Sequence, residues 1–196
     1  MERQVDGTNS PRGSSRMSTS CHPAGKSGQQ TFFCDEDYQA YIDLLADACR
    51  MRDTEVWAWC LMPNHVHLVL VPSSEDGLRA TISETHRRYT RRINLREGWR
   101  GHLWQERFHS FPMDEPYLLA TVRYVELNPV KAKLVVDPRD WPWSSARARS
   151  GATVDKLLAP RRPPAATIRP RPMGHCHWSR WRRAGQTTTV WFEPRH

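Results

Sequence analysis

Runs long enough to cross a bilayer, roughly 18 apolar residues or more, are absent from these 196 residues. The first thirty residues also lack the apolar core of a secretory signal. Cysteine is sparse: Cys21, Cys34, Cys49, Cys60 and Cys176 are scattered, odd in number and without a CxxC pair. That pattern argues against a disulfide framework and fits free thiols in a reducing cytoplasm. No Gly-rich phosphate loop, no GxSxG elbow and no internal repeat is visible, which removes the common nucleotide-binding, serine-hydrolase and solenoid classes.

Charge of one sign is abundant, but its placement matters more than its total. Of the formal +8, residues 1–30 hold +2 and residues 151–196 hold +7, leaving the middle near −1. Within that middle the signs separate. Asp35, Glu36, Asp37, Asp43, Asp47, Asp53 and Glu55 crowd one region, and Arg79, Arg87, Arg88, Arg91, Arg92, Arg96 and Arg100 another. An arginine-rich helix face is either a solvated surface or a track for phosphates.

Residues 1–30 are rich in Ser, Gly, Pro and Thr without periodic apolar residues, and read as disordered or degenerate. Asp35-Glu36-Asp37 supplies an acidic first turn for a helix whose apolar stripe is Tyr38, Tyr41, Ile42, Leu45, Ala48 and Cys49. Glu55–Met62 reads as a strand, Pro63-Asn64 as a turn, and His65–Val71 as the antiparallel return strand. Ser73 to Asp76 opens a second helix with Leu78, Ile82, Tyr89 and Ile93 inward. His102–Met113 reads as extended, and Asp114-Glu115-Pro116 starts a third helix. On that helix Tyr117, Thr121, Tyr124 and Asn128 form a polar stripe, and Pro129 ends or bends it at Asn128. Trp141 to Ser145 reads as a packed closing segment; residues 151–196 read as a basic, Pro- and Trp-containing disordered tail. The expected domain spans 31–150. Its order of elements predicts an α+β fold, a ferredoxin-like antiparallel sheet with helices on one face, provided that a strand precedes the first helix.

The chemistry centres on Pro63-Asn64-His65-Val66-His67-Leu68-Val69-Leu70-Val71-Pro72. Alternation along a strand puts His65 and His67 on one face with Cα atoms about 7 Å apart. Two imidazoles on a buried strand are costly unless hydrogen-bonded or ligating an ion. Taken alone, the pair is a metal site or two satisfied histidines near a strand end. Tyr124 alone is an ordinary amphipathic packing residue, Asn128 an ordinary helix end, and Trp104 and Phe108 ordinary core. His175-Cys176-His177 reads as incidental.

Four segments in this order change the balance: Met62 to Val71, Leu103-Trp104-Gln105-Glu106-Arg107-Phe108, Arg123 to Ala132, and Asp140-Trp141-Pro142-Trp143-Ser144-Ser145. Together they resemble the small single-tyrosine HUH transposases of insertion sequences, especially their REP-associated relatives, over residues 31–150. The resemblance implies a ferredoxin-like domain that cuts and rejoins single-stranded DNA through a 5′-phosphotyrosine. It implies Tyr124 as nucleophile, His65, His67 and Asn128 as metal ligands, and a homodimer acting on single-stranded or hairpin DNA. Arg87, Arg88, Arg91, Trp104, Gln105 and Arg107 are the candidate DNA contacts.

Phosphoryl transfer requires in-line positioning and neutralised phosphate oxygens, which a divalent ion supplies. Imidazole and carbonyl donors with open positions suit Mg²⁺ or Mn²⁺ better than a closed zinc site. A free phenol is only about 10⁻³ ionised at pH 7, so the site has to generate tyrosinate. The chain departs from the family pattern at both ends, which read like translations of altered reading frames. Residues 1–30 supply no apolar first strand, so the sheet is expected to lose an edge. The rival readings are a catalytically inactive single-strand DNA binder, decayed or domesticated, and a metal hydrolase that needs no tyrosine.

Overall fold

The computed structural model describes residues 30–104, 109–113, 115–159 and 187–191. The N-terminal segment 1–29 and the candidate contacts Gln105 and Arg107 lie outside the described residues, as does His175 to His177.

Helix α1 (Asp35–Arg52) carries its acidic residues in the first turn and Arg50 and Arg52 in the last, each at the end of the helix dipole that favours it. It ends on Asp53 in the left-handed conformation, and β1 (Thr54–Leu61) follows at once. A tight turn returns the chain as β2 (Val66–Pro72), antiparallel to β1 with Cys60 opposite His67 and Trp59 opposite Leu68. A register shift between Val56 and Ala58 interrupts the ladder. Helix α2 (Gly77–Glu97) then stops at Gly98, whose φ of 67° suits a residue without Cβ.

The expected sheet with helices on one face holds for α1 and α2. Tyr41, Leu45, Ile82, Tyr89 and Ile93 from these helices share one core with Val56, Leu61, Val66, Leu68 and Leu70 from the hairpin. Asp37, fully buried, fixes the pair of helices through hydrogen-bonded ion pairing with Arg96 and by accepting from the Phe33 amide. Helix α3 (Glu115–Glu126) covers the other face: Leu118, Val122 and Val125 pack with Ala58, Cys60, Met62 and Val69. This is why Val66 through Leu70 is buried without interruption. A strand covered on both faces reads as a continuous apolar run.

The remaining strands depart from expectation. Only His109–Met113 of the expected 102–113 segment is described as strand, β3. Its neighbour in the sheet is β4 (Thr187–Trp191), which lies between β2 and β3 and is antiparallel to both. A described stretch of the C-terminal region is therefore an interior strand, where a disordered tail was expected. The sheet order is β1-β2-β4-β3. β4 therefore takes an interior position between the hairpin and β3.

Residues 151–159 also correct the tail boundary. Trp59 Nε1 donates to Asp155 at 2.8 Å, Leu157 is buried, Leu158 bridges to Val56, and the Ala159 amide donates to the Val56 carbonyl. With Trp143, whose carbonyl accepts from Leu61, and Ser145, whose amide donates to Trp59, they occupy the free edge of β1. Trp143 stacks on Tyr38 at 4.8 Å, so 141–145 is the packed closing segment expected. Cys49 and Cys60 are buried free thiols, as anticipated. Cys34 is disulfide-bonded, contrary to the reading of five free cysteines, and its partner lies outside the described residues.

Candidate metal and tyrosine site

His67 is the second residue of β2 and projects from the sheet face that α3 covers, between Val66 and Leu68 on the opposite face. His65 precedes the strand in the turn. The two Nε2 atoms face each other at 3.0 Å, with the rings nearly perpendicular. Two nitrogens at about 2.1 Å from one ion and at right angles around it would also stand about 3.0 Å apart. The pair therefore has the spacing of adjacent ligands of an octahedral ion, while in the free protein one imidazole donates to the other.

The tautomer is set from behind. His65 Nδ1 lies 2.7 Å from Asn64 Oδ1, an acceptor, so the proton belongs on Nδ1 and the Nε2 lone pair points at His67. Burial lowers the pKa of His65 to about 4. Burial, then His65, then the Lys131 charge lower His67 to about 3. Both rings are thus neutral at pH 7, the form that binds a cation.

Helix α3 brings Tyr124 to this pair within the same chain. Its ring stands 6.1 Å from that of His67, edge to face at 87°. The helix is held by Glu126, whose Oε1 accepts from Ser145 Oγ at 2.7 Å and Arg149 Nε at 2.8 Å, tying its C-terminal end to the segment that edges β1. α3 stops at Glu126, and a short turn, α4 (Asn128–Lys131), resumes with Pro129 near its start, the interruption expected before proline. Asn128 Nδ2 donates to the Tyr124 carbonyl at 3.0 Å, which leaves Oδ1 as the atom able to coordinate.

Among the described residues no three His, Cys, Asp or Glu side chains come together as a metal cage. The two facing Nε2 atoms are the nitrogen donors that this site offers to an ion, and two imidazoles alone are not a closed zinc site.

The other candidates separate from this centre. Arg87 and Arg91 are exposed and Arg88 half-buried on α2, across the sheet from the histidines. Arg87 forms a two-pronged pair with Glu84, and Arg88 lies 3.8 Å from Asp47. Trp104 packs as the core residue it reads as when taken alone, beside Phe32, Tyr41 and Tyr89 and stacked on His86 at 4.0 Å. An aromatic next to polar motif residues invites the DNA reading, but the partners that claim it lie on distant α1 and α2. Two residues missed as participants are Asn64 and Lys131. Lys131 Nζ sits 3.8 Å over the Tyr124 ring. The available signal was spacing: Tyr124, Asn128 and Lys131 follow at i, i+4 and i+7 on one helical face.

An antiparallel α+β sheet, a strand presenting two convergent imidazoles and a helix presenting one tyrosine together define the ferredoxin-like, histidine-pair-and-tyrosine class of domain. Comparison with known proteins agrees. The family model described as "Transposase IS200 like" matches residues 26–128, about half of the chain. The REP-associated tyrosine transposase of Escherichia coli (strain K12) is 28% identical over 109 residues, covering 55% of this chain and 64% of that protein. A REP-associated tyrosine transposase, described as putative, of Haemophilus influenzae (strain ATCC 51907 / DSM 11121 / KW20 / Rd) is 29% identical over 108 residues, covering 50% of this chain and 61% of its own. The chain therefore spans under two thirds of the length of these curated relatives. A solved REP-associated tyrosine transposase bound to a REP hairpin superimposes with a TM-score of 0.50 at 23% identity, over 74% of this chain and 83% of the other. This chain belongs to the IS200-like transposase family.

Proposed function

We propose that this protein is a metal-dependent DNA strand transferase that cuts and rejoins single-stranded or hairpin DNA through Tyr124, in the cytoplasm. The observation that carries the reading is the meeting of the Tyr124 ring with the paired Nε2 atoms of His65 and His67 in one chain.

In the reaction the Tyr124 oxygen forms a bond to the backbone phosphorus while the bond to the 3′ oxygen breaks. The phenolic proton passes to solvent, and the departing 3′ oxygen takes up a proton. One phosphodiester replaces another, so the step is reversible and needs no external energy source. His65, His67 and Asn128 would hold the divalent ion, which when bound supplies Lewis-acid polarisation of the phosphate. Asn64 keeps His65 in the ligating tautomer, and Glu126 holds the helix that aims the tyrosine.

The test incubates labelled single-stranded and hairpin oligonucleotides with full-length protein and Mn²⁺, followed by denaturing electrophoresis. Wild type should give a covalent DNA adduct, and Tyr124→Phe should abolish it while retaining binding. Salt-sensitive binding by wild type without any adduct would select the inactive-binder reading instead. Cleavage that survives Tyr124→Phe would select the hydrolase.

A further inference from the structure

We propose that Lys131 is a catalytic residue of this site, contributing the cation that seats the scissile phosphate against Tyr124. The inference rests on the reading of Tyr124 as nucleophile and extends it to a residue outside the expected ligand and nucleophile set.

Side chains on a helix lean toward its N-terminus. Lys131, two turns beyond Tyr124, therefore reaches back along the same face, and its ammonium lies 3.8 Å from the centre of the phenol ring. Cations close to carboxylates are commonly tied up in ion pairs. Here the nearest carboxylate in sequence, Glu126, is engaged by Arg149, and among the described residues no carboxylate is within ion-pair distance of Lys131. Lys131 is itself exposed.

An exposed ammonium over a phenol ring, with no carboxylate within ion-pair distance among the described residues, is arranged to receive an anion. The anion this site would handle is a phosphodiester. Contact with the face of a phenol is worth about 0.5–1 kcal/mol at an exposed position, so it parks the ammonium without trapping it. A phosphate oxygen is the stronger partner, because a hydrogen bond between two charged groups is roughly twice as strong as a neutral one. When DNA enters, the ammonium moves from the ring to a non-bridging oxygen, drawing phosphorus toward the hydroxyl beneath it.

The test compares wild type, Lys131→Met and Lys131→Arg as full-length proteins with Mn²⁺ and a single-stranded oligonucleotide. Lys131→Met should slow adduct formation at saturating DNA at least tenfold, with Lys131→Arg within a few-fold of wild type. The salt dependence of binding should flatten by about 0.7 in logarithmic slope for the lost phosphate contact. A single phosphorothioate at the scissile position should slow wild type in one diastereomer and lose that preference in Lys131→Met, which a purely structural role would not cause. Unchanged adduct rate or unchanged salt slope in Lys131→Met overturns the proposal. If wild type forms no adduct, the transferase reading fails, while the salt slope still decides whether Lys131 meets phosphate.

Discussion

The β1–β2 hairpin and the β3–β4 pair share one sheet but are built in opposite ways. The hairpin is local: a few residues join two strands, and Met62 donates its amide to the His65 carbonyl across the turn. Each strand is apolar enough to announce itself; one face is covered by α1 and α2, its neighbours in sequence, and the other by the more distant α3. The β3–β4 pair joins segments that lie far apart. β4 meets β2 with Trp191 opposite His67, and β3 with Trp191 opposite His109, so β3 is linked to the hairpin in the sheet only through β4. The facing histidines lie in the local half, while closure of the sheet depends on the remote one. A change in the hairpin should therefore show first in activity, and a change in β4 first in stability.

The largest effect that tests this contrast is expected from proline in β4. Thr189 stands opposite Val69 on one side and Phe111 on the other. Proline there removes a ladder donor and forces its ring into an interior strand, a position that sheets do not tolerate. Thr189→Pro should cost about 3 kcal/mol or more in urea unfolding, by analogy with proline in other regular interiors. An unchanged midpoint would mean that the C-terminal strand contributes nothing to the sheet, and the two regions would no longer differ.

The same contrast explains what could be read from the chain. α1, α2 and α3 are visible because each carries its own period, β1 and β2 because each is a short apolar run, and Pro63-Asn64 and Pro129 mark breaks that the structure keeps. The histidine pair and Tyr124 could be aligned from motifs, and their contact follows once α3 is laid across the face that His67 projects from. The run Thr187 to Trp191 is β-prone through its threonines and valine, yet nothing local says that it enters a sheet. Its place is defined by an opening between β2 and β3, which is a property of the assembled domain. The particular partners of Trp104 are hidden for a related reason: His86 and Tyr41, which hold it, come from two other elements.

A second, smaller effect separates the halves by pH. His86 on α2 is buried in the local half, shares a hydrogen bond of 3.0 Å with the Tyr41 hydroxyl, and has its pKa lowered by burial to about 3 from 6.5. Between those values the unfolded chain binds a proton that the folded one refuses. Stability is therefore full above pH 6.5 and falls as the solution is acidified, by about 1.4 kcal/mol per pH unit for this residue. His86→Gln retains a hydrogen-bonding group for Tyr41 and does not titrate. Its unfolding free energy, followed by urea titration from pH 7.5 to 5, should fall less steeply than that of wild type by that slope. Equal slopes would show that His86 is not held neutral in the fold.

The smallest effect concerns the border between the regions, where residues 155–159 follow the edge of β1. Asp155 receives Trp59 Nε1 on one oxygen and the Leu157 amide on the other, each at 2.8 Å. Asp155→Ala leaves the indole donor of a buried tryptophan without this acceptor and releases the turn that places Leu157 in the core. Loss of such a bond costs about 1 kcal/mol, because water replaces part of it once the turn opens. The urea midpoint should drop by that amount while adduct formation by Tyr124 stays at the wild-type rate, since neither Asp155 nor Trp59 faces the histidines. If activity fell with stability, the edge of β1 would belong to the site and the division into a chemical half and a closing half would have to be redrawn.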